Sequence, residues 1–426
     1  HCPDGPLGAE LGLPGRATCA DGAGDRSACR RRVSVHPRRV AVRGGTCRCV
    51  TVRYSARVLR PVLAAVVALG LARVPSARAQ RGELPLADAP HSAVTAPARY
   101  ATLTEAAEAM QRLTEQRWPT LHLRGTASVI LPGTAHPLIP RIRERLLALG
   151  DLAALADGAD ETYAPALVAA VQRFQWRHGL PVDGAIGSRT IAALNVSPAR
   201  RLRTLRANLA RRSPRPESSL PRALLVNIPD FRLSVIEQGR ELFAMPVVVG
   251  ARVTKTPAFV DAISSITFSP TWTVPESITR KELLPAMRRD STYLARNHMD
   301  IIGGTADLPI IRQRPGPHNA LGFVKFSPQR TPGIFLHDTP VRSVFAREQR
   351  ALSHGCIRLG EPVALARYLL QDDAEWPDGR MAAAMQGGEE TVVPLRRPIP
   401  LFVIYATAWI DAEGRLHFRD DIYRAD

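Results

Sequence analysis

The chain has 426 residues, with 57 Lys and Arg against 39 Asp and Glu, a net charge of +18, and 45% hydrophobic residues. Residues 1–79 hold 14 of the basic residues and only 4 acidic ones, which leaves +8 on residues 80–426. That modest, scattered charge, with 5% aromatics and no zinc-finger or aromatic RNA-binding motif, argues against nucleic acid. It suits an anionic polymer such as a bacterial wall, or a membrane surface.

The first 49 residues hold Cys2, Cys19, Cys29, Cys47 and Cys49 among Arg and Gly, with no apolar periodicity. Arg53, Arg57 and Arg60 then precede a short apolar run, residues 61–71 (PVLAAVVALGL), and a small-x-small site at Ala77-Arg78-Ala79. This is the pattern of a secretory signal peptide over residues 51–79. The run is too short for a transmembrane helix of about 20 residues. A signal peptide begins its chain, and this one begins about 50 residues in. Residues 1–50 are therefore expected to be a non-native or disordered extension, with a cysteine-rich leader module as the alternative. Export to the periplasm or cell wall follows, and Cys356 is then the single cysteine of the exported part, with no disulfide framework.

The roughly 347 residues after the signal exceed one typical domain. Residues 80–136 read as an Ala/Pro-rich lead-in and a helical scaffold, with Leu103, Ala106, Met110 and Leu113 at helical spacing over 101–117. Residues 137–197 form a compact unit. A helix over 141–149 ends at Gly150, and a second covers 165–177 with Leu167, Val168, Val171 and Phe174 on one face. A turn-rich segment over 178–187 and a short helix over 190–194 follow. Residues 198–222 are a linker and scaffold helix whose Leu202, Leu205 and Leu209 can pack on 101–117. From 223 the pattern becomes strand-like, at 223–228, 231–236, 241–250, 263–268, 321–326, 333–336 and 401–407. The expected fold class is α+β multidomain: a mostly-β domain over 223–426, a sandwich or folded-over sheet, behind a three-helix domain and a small helical scaffold. An insertion over about 275–320, with a helix at 281–288 and a Gly/Pro-rich arm at 312–319, is placed to act as a lid.

Ser353-His354-Gly355-Cys356 carries the chemistry. A free thiol has a pKa of about 8.5, so a nucleophilic Cys356 needs a base. His337, 19 residues earlier at a strand end, is placed to supply it. Asp338 can orient the His337 ring through its carbonyl or its carboxylate. Gly355 lets the backbone approach a substrate, and the amides of Gly355 and Cys356 are candidate oxyanion donors. Ser353 and His354 either brace that turn or touch substrate. Arg358 either clamps a substrate carboxylate or pairs with Glu361. No His-x-x-x-His or paired-Cys spacing marks a metal site, so neither a metal nor a cofactor is expected.

Two resemblances follow from these strings. Ala170-Val171-Gln172-Arg173-Phe174-Gln175, with residues 178–195 (HGLPVDGAIGSRTIAALN), resembles the three-helix peptidoglycan-binding module. His337 in Leu336-His337-Asp338-Thr339-Pro340, with Ser353-His354-Gly355-Cys356-Ile357-Arg358, resembles the catalytic domain of L,D-transpeptidases. Residues 315–322 (PGPHNALG) and Trp272-Thr273-Val274-Pro275 resemble the larger, lid-bearing subtype, while Phe326-Ser327-Pro328-Gln329 departs from it. The resemblance implies that Cys356 attacks the diaminopimelate–D-Ala bond of a tetrapeptide stem, with His337 as proton acceptor and then donor. The resulting thioester passes to the amine of a second stem. It further implies Trp272, Asn319, Ser353, His354 and Arg358 as substrate-binding residues, peptidoglycan stems as partners, and acylation of Cys356 by carbapenem-type inhibitors. An L,D-carboxypeptidase or cysteine endopeptidase, a zinc peptidase, and a non-catalytic wall-binding protein are the rival readings.

Overall fold

The computed structural model describes residues 100–123, 129–153, 160–216 and 219–426; the expected extension, the signal peptide and the lead-in over 80–98 lie outside them. Helix α1 (Leu103–Leu113) opens at Thr102, whose hydroxyl accepts from the Glu105 amide while the Glu105 carboxylate accepts from the Ala101 amide. This reciprocal closure satisfies donors that a helix start otherwise leaves open.

Helices α2 (Ile139–Leu149), α3 (Pro165–Arg177) and α4 (Ser188–Asn195) follow, and β1 (Val129–Ile130) pairs antiparallel with β2 (Ile186–Gly187). Ile142, Leu146, Leu167, Val171, Phe174 and Leu194 form their shared core. Helix α2 starts two residues earlier than the spacing predicts, because Pro140 in its first turn forfeits only an amide that has no intrahelical partner. Helix α5 (Pro198–Arg211) is capped by the Ser197 hydroxyl, and its Leu202 and Leu205 pack against Ala106 and Met110 of α1.

The remaining chain builds one nine-stranded sheet. Its strands are β3 (Arg222–Asn227), β4 (Arg232–Glu237), β5 (Arg240–Gly250), β6 (Phe259–Phe268), β10 (Val324–Pro328), β11 (Leu336–His337), β12 (Ala351–Ser353), β13 (Ile357–Leu359) and β14 (Thr391–Ile404). They lie in the order β12-β5-β13-β11-β10-β6-β14-β3-β4, and β4 pairs back with β5, so the sheet folds over on itself. Leu224, Val226, Leu233, Val247, Ile266, Phe326, Leu336, Ile357 and Leu401 fill the inside. Helix α9 (Pro362–Leu370) adds Leu365 and Ala366, and α10 (Asp378–Gln386) adds Met381. Strand β14 begins ten residues before its apolar run at 401. Pro394 and Pro398 hide that first half from a periodicity reading, and the register shifts between Pro394 and Ile399.

The insertion has more structure than its sequence suggests. Strand β7 (Trp272–Thr273) leads into α6 (Glu276–Ile278), a π-helical turn (Thr279–Leu283), α7 (Leu284–Arg289) and α8 (Tyr293–Arg296). A hairpin of β8 (Met299–Gly304) and β9 (Pro309–Gln313) completes a three-stranded sheet with β7. Val274, Ile278, Leu283, Met299 and Ile311 give it a core of its own.

The C-terminal hairpin, β15 (Ala408–Ile410) and β16 (Leu416–Phe418), returns to the helical part. Arg177 donates to the Leu416 carbonyl and pairs at 2.5 Å with the buried Asp151. The His178 ring stacks between Phe174 (3.9 Å) and Phe418 (5.6 Å).

Candidate active site

Strands β11 and β13 are parallel neighbours, with Leu336 opposite Ile357 and His337 opposite Arg358. Leu336, Ile357 and Leu359 point into the core, so His337 and Arg358 share the other face of the sheet. Register continues that row to Lys325 on β10, beside His337, and Val248 on β5, beside Arg358. Cys356 leads directly into β13.

His337 is buried, and its Nδ1 lies 2.5 Å from the Asp338 carbonyl oxygen. The carbonyl therefore orients the ring, and Nδ1–H donates, leaving Nε2 as the acceptor. The Asp338 carboxylate accepts instead from the Phe323 amide at 3.0 Å and from Arg342 at 3.3 Å. Burial holds the His337 pKa down to about 3, helped by the Arg358 and Lys325 charges and opposed by the Asp338 carbonyl. The Cys356 thiol donates to the Gly333 carbonyl at 3.5 Å. Burial pushes its pKa up, against the Phe335 backbone and the Arg358 charge. Arg358 thus acts electrostatically on both partners, and at neutral pH they rest as an uncharged thiol and an uncharged imidazole.

The nucleophile turn is braced from several sides. Gly355 has φ +124°, a conformation that disfavours side chains. The Ser353 hydroxyl donates to the Cys356 carbonyl at 2.5 Å and accepts from the Gly355 amide at 3.1 Å. Thr256 donates to the Gly355 carbonyl at 2.7 Å and Thr254 to the Ser353 carbonyl at 2.8 Å. The Tyr423 hydroxyl, donating to Gly250 and accepting from the Thr256 amide, fixes that supporting loop.

The other candidate residues take the following places. Ser353 is buried, and its hydroxyl bonds the Cys356 carbonyl and the Gly355 amide within the turn. The Gly355 amide donates to the Ser353 hydroxyl, while the Cys356 amide has no hydrogen-bond acceptor among the described residues. Asn319 is fully enclosed; its amide donates to the Pro270 and Arg314 carbonyls and its oxygen accepts from the Leu321 amide, so it closes the arm. Trp272 packs on the insertion's own core. Arg358 forms no pair with Glu361, and its Nε is buried without a hydrogen-bond partner. His354 turns outward to Glu282 of the insertion, at 2.6 Å. Lys325 was not singled out by the sequence, although it is one of only three lysines in the chain. Among the described residues no group of three or more His, Cys, Asp or Glu side chains could hold a metal ion.

The Cys356 thiol thus stands at the entry to β13, and the carbonyl-oriented imidazole of His337 lies on the parallel neighbour β11. Residues 221–382 match the family model of the L,D-transpeptidase catalytic domain, and residues 135–194 match the "Putative peptidoglycan binding domain". The two matches lie in tandem along the chain, the binding domain before the catalytic one. A "Putative L,D-transpeptidase" of Haemophilus influenzae is 32% identical over 219 residues, which are 48% of this chain and 44% of that one. The chain thus spans less than half the length of that curated relative. Among solved structures, an L,D-transpeptidase of Stackebrandtia nassauensis is 15% identical over 66% of this chain and 97% of its own, with a TM-score of 0.27. L,D-transpeptidase 3 of Mycobacterium tuberculosis, in complex with a faropenem-derived adduct, is 16% identical over 43% of this chain and 60% of its own, with a TM-score of 0.23.

Proposed function

We propose that the protein is a peptidoglycan L,D-transpeptidase acting on the cell wall after export. The observation that carries this reading is the strand pairing that sets His337 beside Arg358, with Cys356 at the entry to the same strand. His337 Nε2 takes the thiol proton as sulfur attacks the carbonyl of the diaminopimelate L centre in a tetrapeptide stem. The oxyanion faces the Cys356 amide. D-Ala leaves with the proton from His337, and a thioester remains on Cys356. Arg358 and Lys325, neither paired with a carboxylate among the described residues, supply charge for the stem's carboxylates. The diaminopimelate amine of a second stem then attacks the thioester and cross-links the two.

The insertion shelters the thioester from water. The peptidoglycan-binding domain holds the polymer near the nucleophile. Carbapenem-type inhibitors acylate the same sulfur. Among the described residues no helix is long and apolar enough to cross a membrane.

A carboxypeptidase would share every step up to the thioester and then use water. Incubation with a disaccharide-tetrapeptide, read by mass spectrometry beside Cys356→Ala, separates the two. A cross-linked dimer lacking one D-Ala is the expected product. Hydrolysed tripeptide alone would assign a carboxypeptidase, and no product from either form would refute both.

A further inference from the structure

The insertion touches the nucleophile turn through a charged side chain. Glu282 sits in the π-helical turn, and its Oε1 lies 2.6 Å from His354 Nε2. Such turns recur at functional sites, because the extra residue re-aims a side chain. Neighbouring Arg280 is occupied by Glu276 at 2.7 Å, which leaves Glu282 to His354. Both members of the pair are about half exposed, at 51% and 47%, so the contact is open to a solute. Among the described residues Glu282 is the one carboxylate hydrogen-bonded to residues 353–358. The charges that act on the two groups are cationic, Arg358 on both the thiol and the imidazole and Lys325 on the imidazole.

The two halves of the proposed reaction need opposite charges. The donor stem brings carboxylates, which suit Arg358 and Lys325. The acceptor brings a primary ammonium, which must be bound and must lose a proton before it is a nucleophile. His337, whose ring is oriented by the Asp338 carbonyl, already serves the donor stem in the proposed reaction. We infer that Glu282 and His354 form the acceptor subsite, which holds the incoming ammonium and removes its first proton. The inference rests on the transpeptidase reading. In the step, the ammonium gives one proton to the pair, and the neutral amine attacks the thioester carbonyl. The C–S bond breaks as the C–N bond forms. The sulfur takes the second amine proton through His337, so thiol and amide are restored and the pair releases its proton to solvent.

The test uses the full chain, a disaccharide-tetrapeptide donor and two acceptors, diaminopimelate and hydroxylamine, the second being neutral already at neutral pH. Mass spectrometry reads the ratio of transfer to hydrolysis for wild type, Glu282→Gln and Glu282→Asp. In Glu282→Gln the ratio with diaminopimelate should fall about a hundredfold, the usual worth of a general base, and its pH profile should move to higher pH. The hydroxylamine ratio should hold, and Glu282→Asp should recover part of the loss. If both ratios fall together, Glu282 is only a latch on the insertion and the inference fails. Unchanged ratios overturn it as well. A wild-type protein that forms no acyl-thioester removes the transpeptidase reading, and this one with it.

Discussion

A resting neutral thiol and neutral imidazole make a sharp prediction about pH. Burial is the largest influence on both groups, holding His337 down to about 3 and pushing Cys356 up. The assay is the rate of Cys356 alkylation by iodoacetamide as a function of pH. Rates should rise once, with a midpoint above the ordinary thiol value of about 8.5, and with no plateau on the acid side. A preformed thiolate–imidazolium pair would instead give a plateau below pH 7. The same perturbation sets a stability slope. His337 moves from 6.5 to about 3 on folding, a difference worth about 5 kcal/mol at roughly 1.4 kcal/mol per unit. Between those values the unfolded chain binds a proton that the folded one refuses. Stability is therefore full above pH 6.5 and drains as the pH falls towards 3. His337→Gln removes this contribution, while the buried His178 and His417 remain in both proteins. The unfolding free energy of wild type relative to the variant should drop by about 1.4 kcal/mol per pH unit over that window, measured by denaturant titration. A flat difference, or an alkylation plateau below pH 7, would refute the reasoning.

Ser353→Ala should cost about 2–4 kcal/mol in denaturant unfolding and slow Cys356 acylation, because the Gly355 amide and the Cys356 carbonyl lose their shared partner. Gly322→Ala places a Cβ 2.3 Å from the Asp338 carboxylate at φ +62°. It should destabilise by about 1–3 kcal/mol and disturb His337, whose ring hangs on the Asp338 carbonyl, as a histidine NMR titration would show. Arg358→Gln removes the largest charge acting on His337, so the imidazole should titrate higher by NMR and KM should rise for stems with a free carboxylate. Asp151→Asn leaves the buried Arg177 without its counter-charge at the seam with β16. It should cost about 3–5 kcal/mol, read by thermal unfolding at neutral pH.

Much of the fold is legible as local pattern. Helix α3 announces itself by Pro165 at its start and by Leu167, Val171 and Phe174 on one face. Strands β3 to β5 read as apolar, β-branched runs around the Gln238-Gly239 turn. The insertion's three-stranded sheet was not legible. Strand β7 has two residues, and β8 carries Gly303 and Gly304, so neither shows a period. In the site, Cys356 and His337 stand out because each sits in a distinctive string. Lys325 and Glu282 do not, because their places beside it come from neighbours across strands or across the insertion.

The sequence by itself determined the kinds of domain expected and the chemical groups available: the Cys356 thiol, His337 at a strand end, a turn built on Gly355. These are properties of short segments, and short segments carry their own propensities. Only the tertiary structure decided what each group is bonded to. It assigned the orientation of His337 to a carbonyl and tied Asn319 and Ser353 to the backbone around them. It left Arg358 without a counter-charge and brought Glu282 to the nucleophile turn. Those outcomes depend on which polar groups burial forces to pair, and pairing is settled by sheet register and packing between segments far apart in the chain.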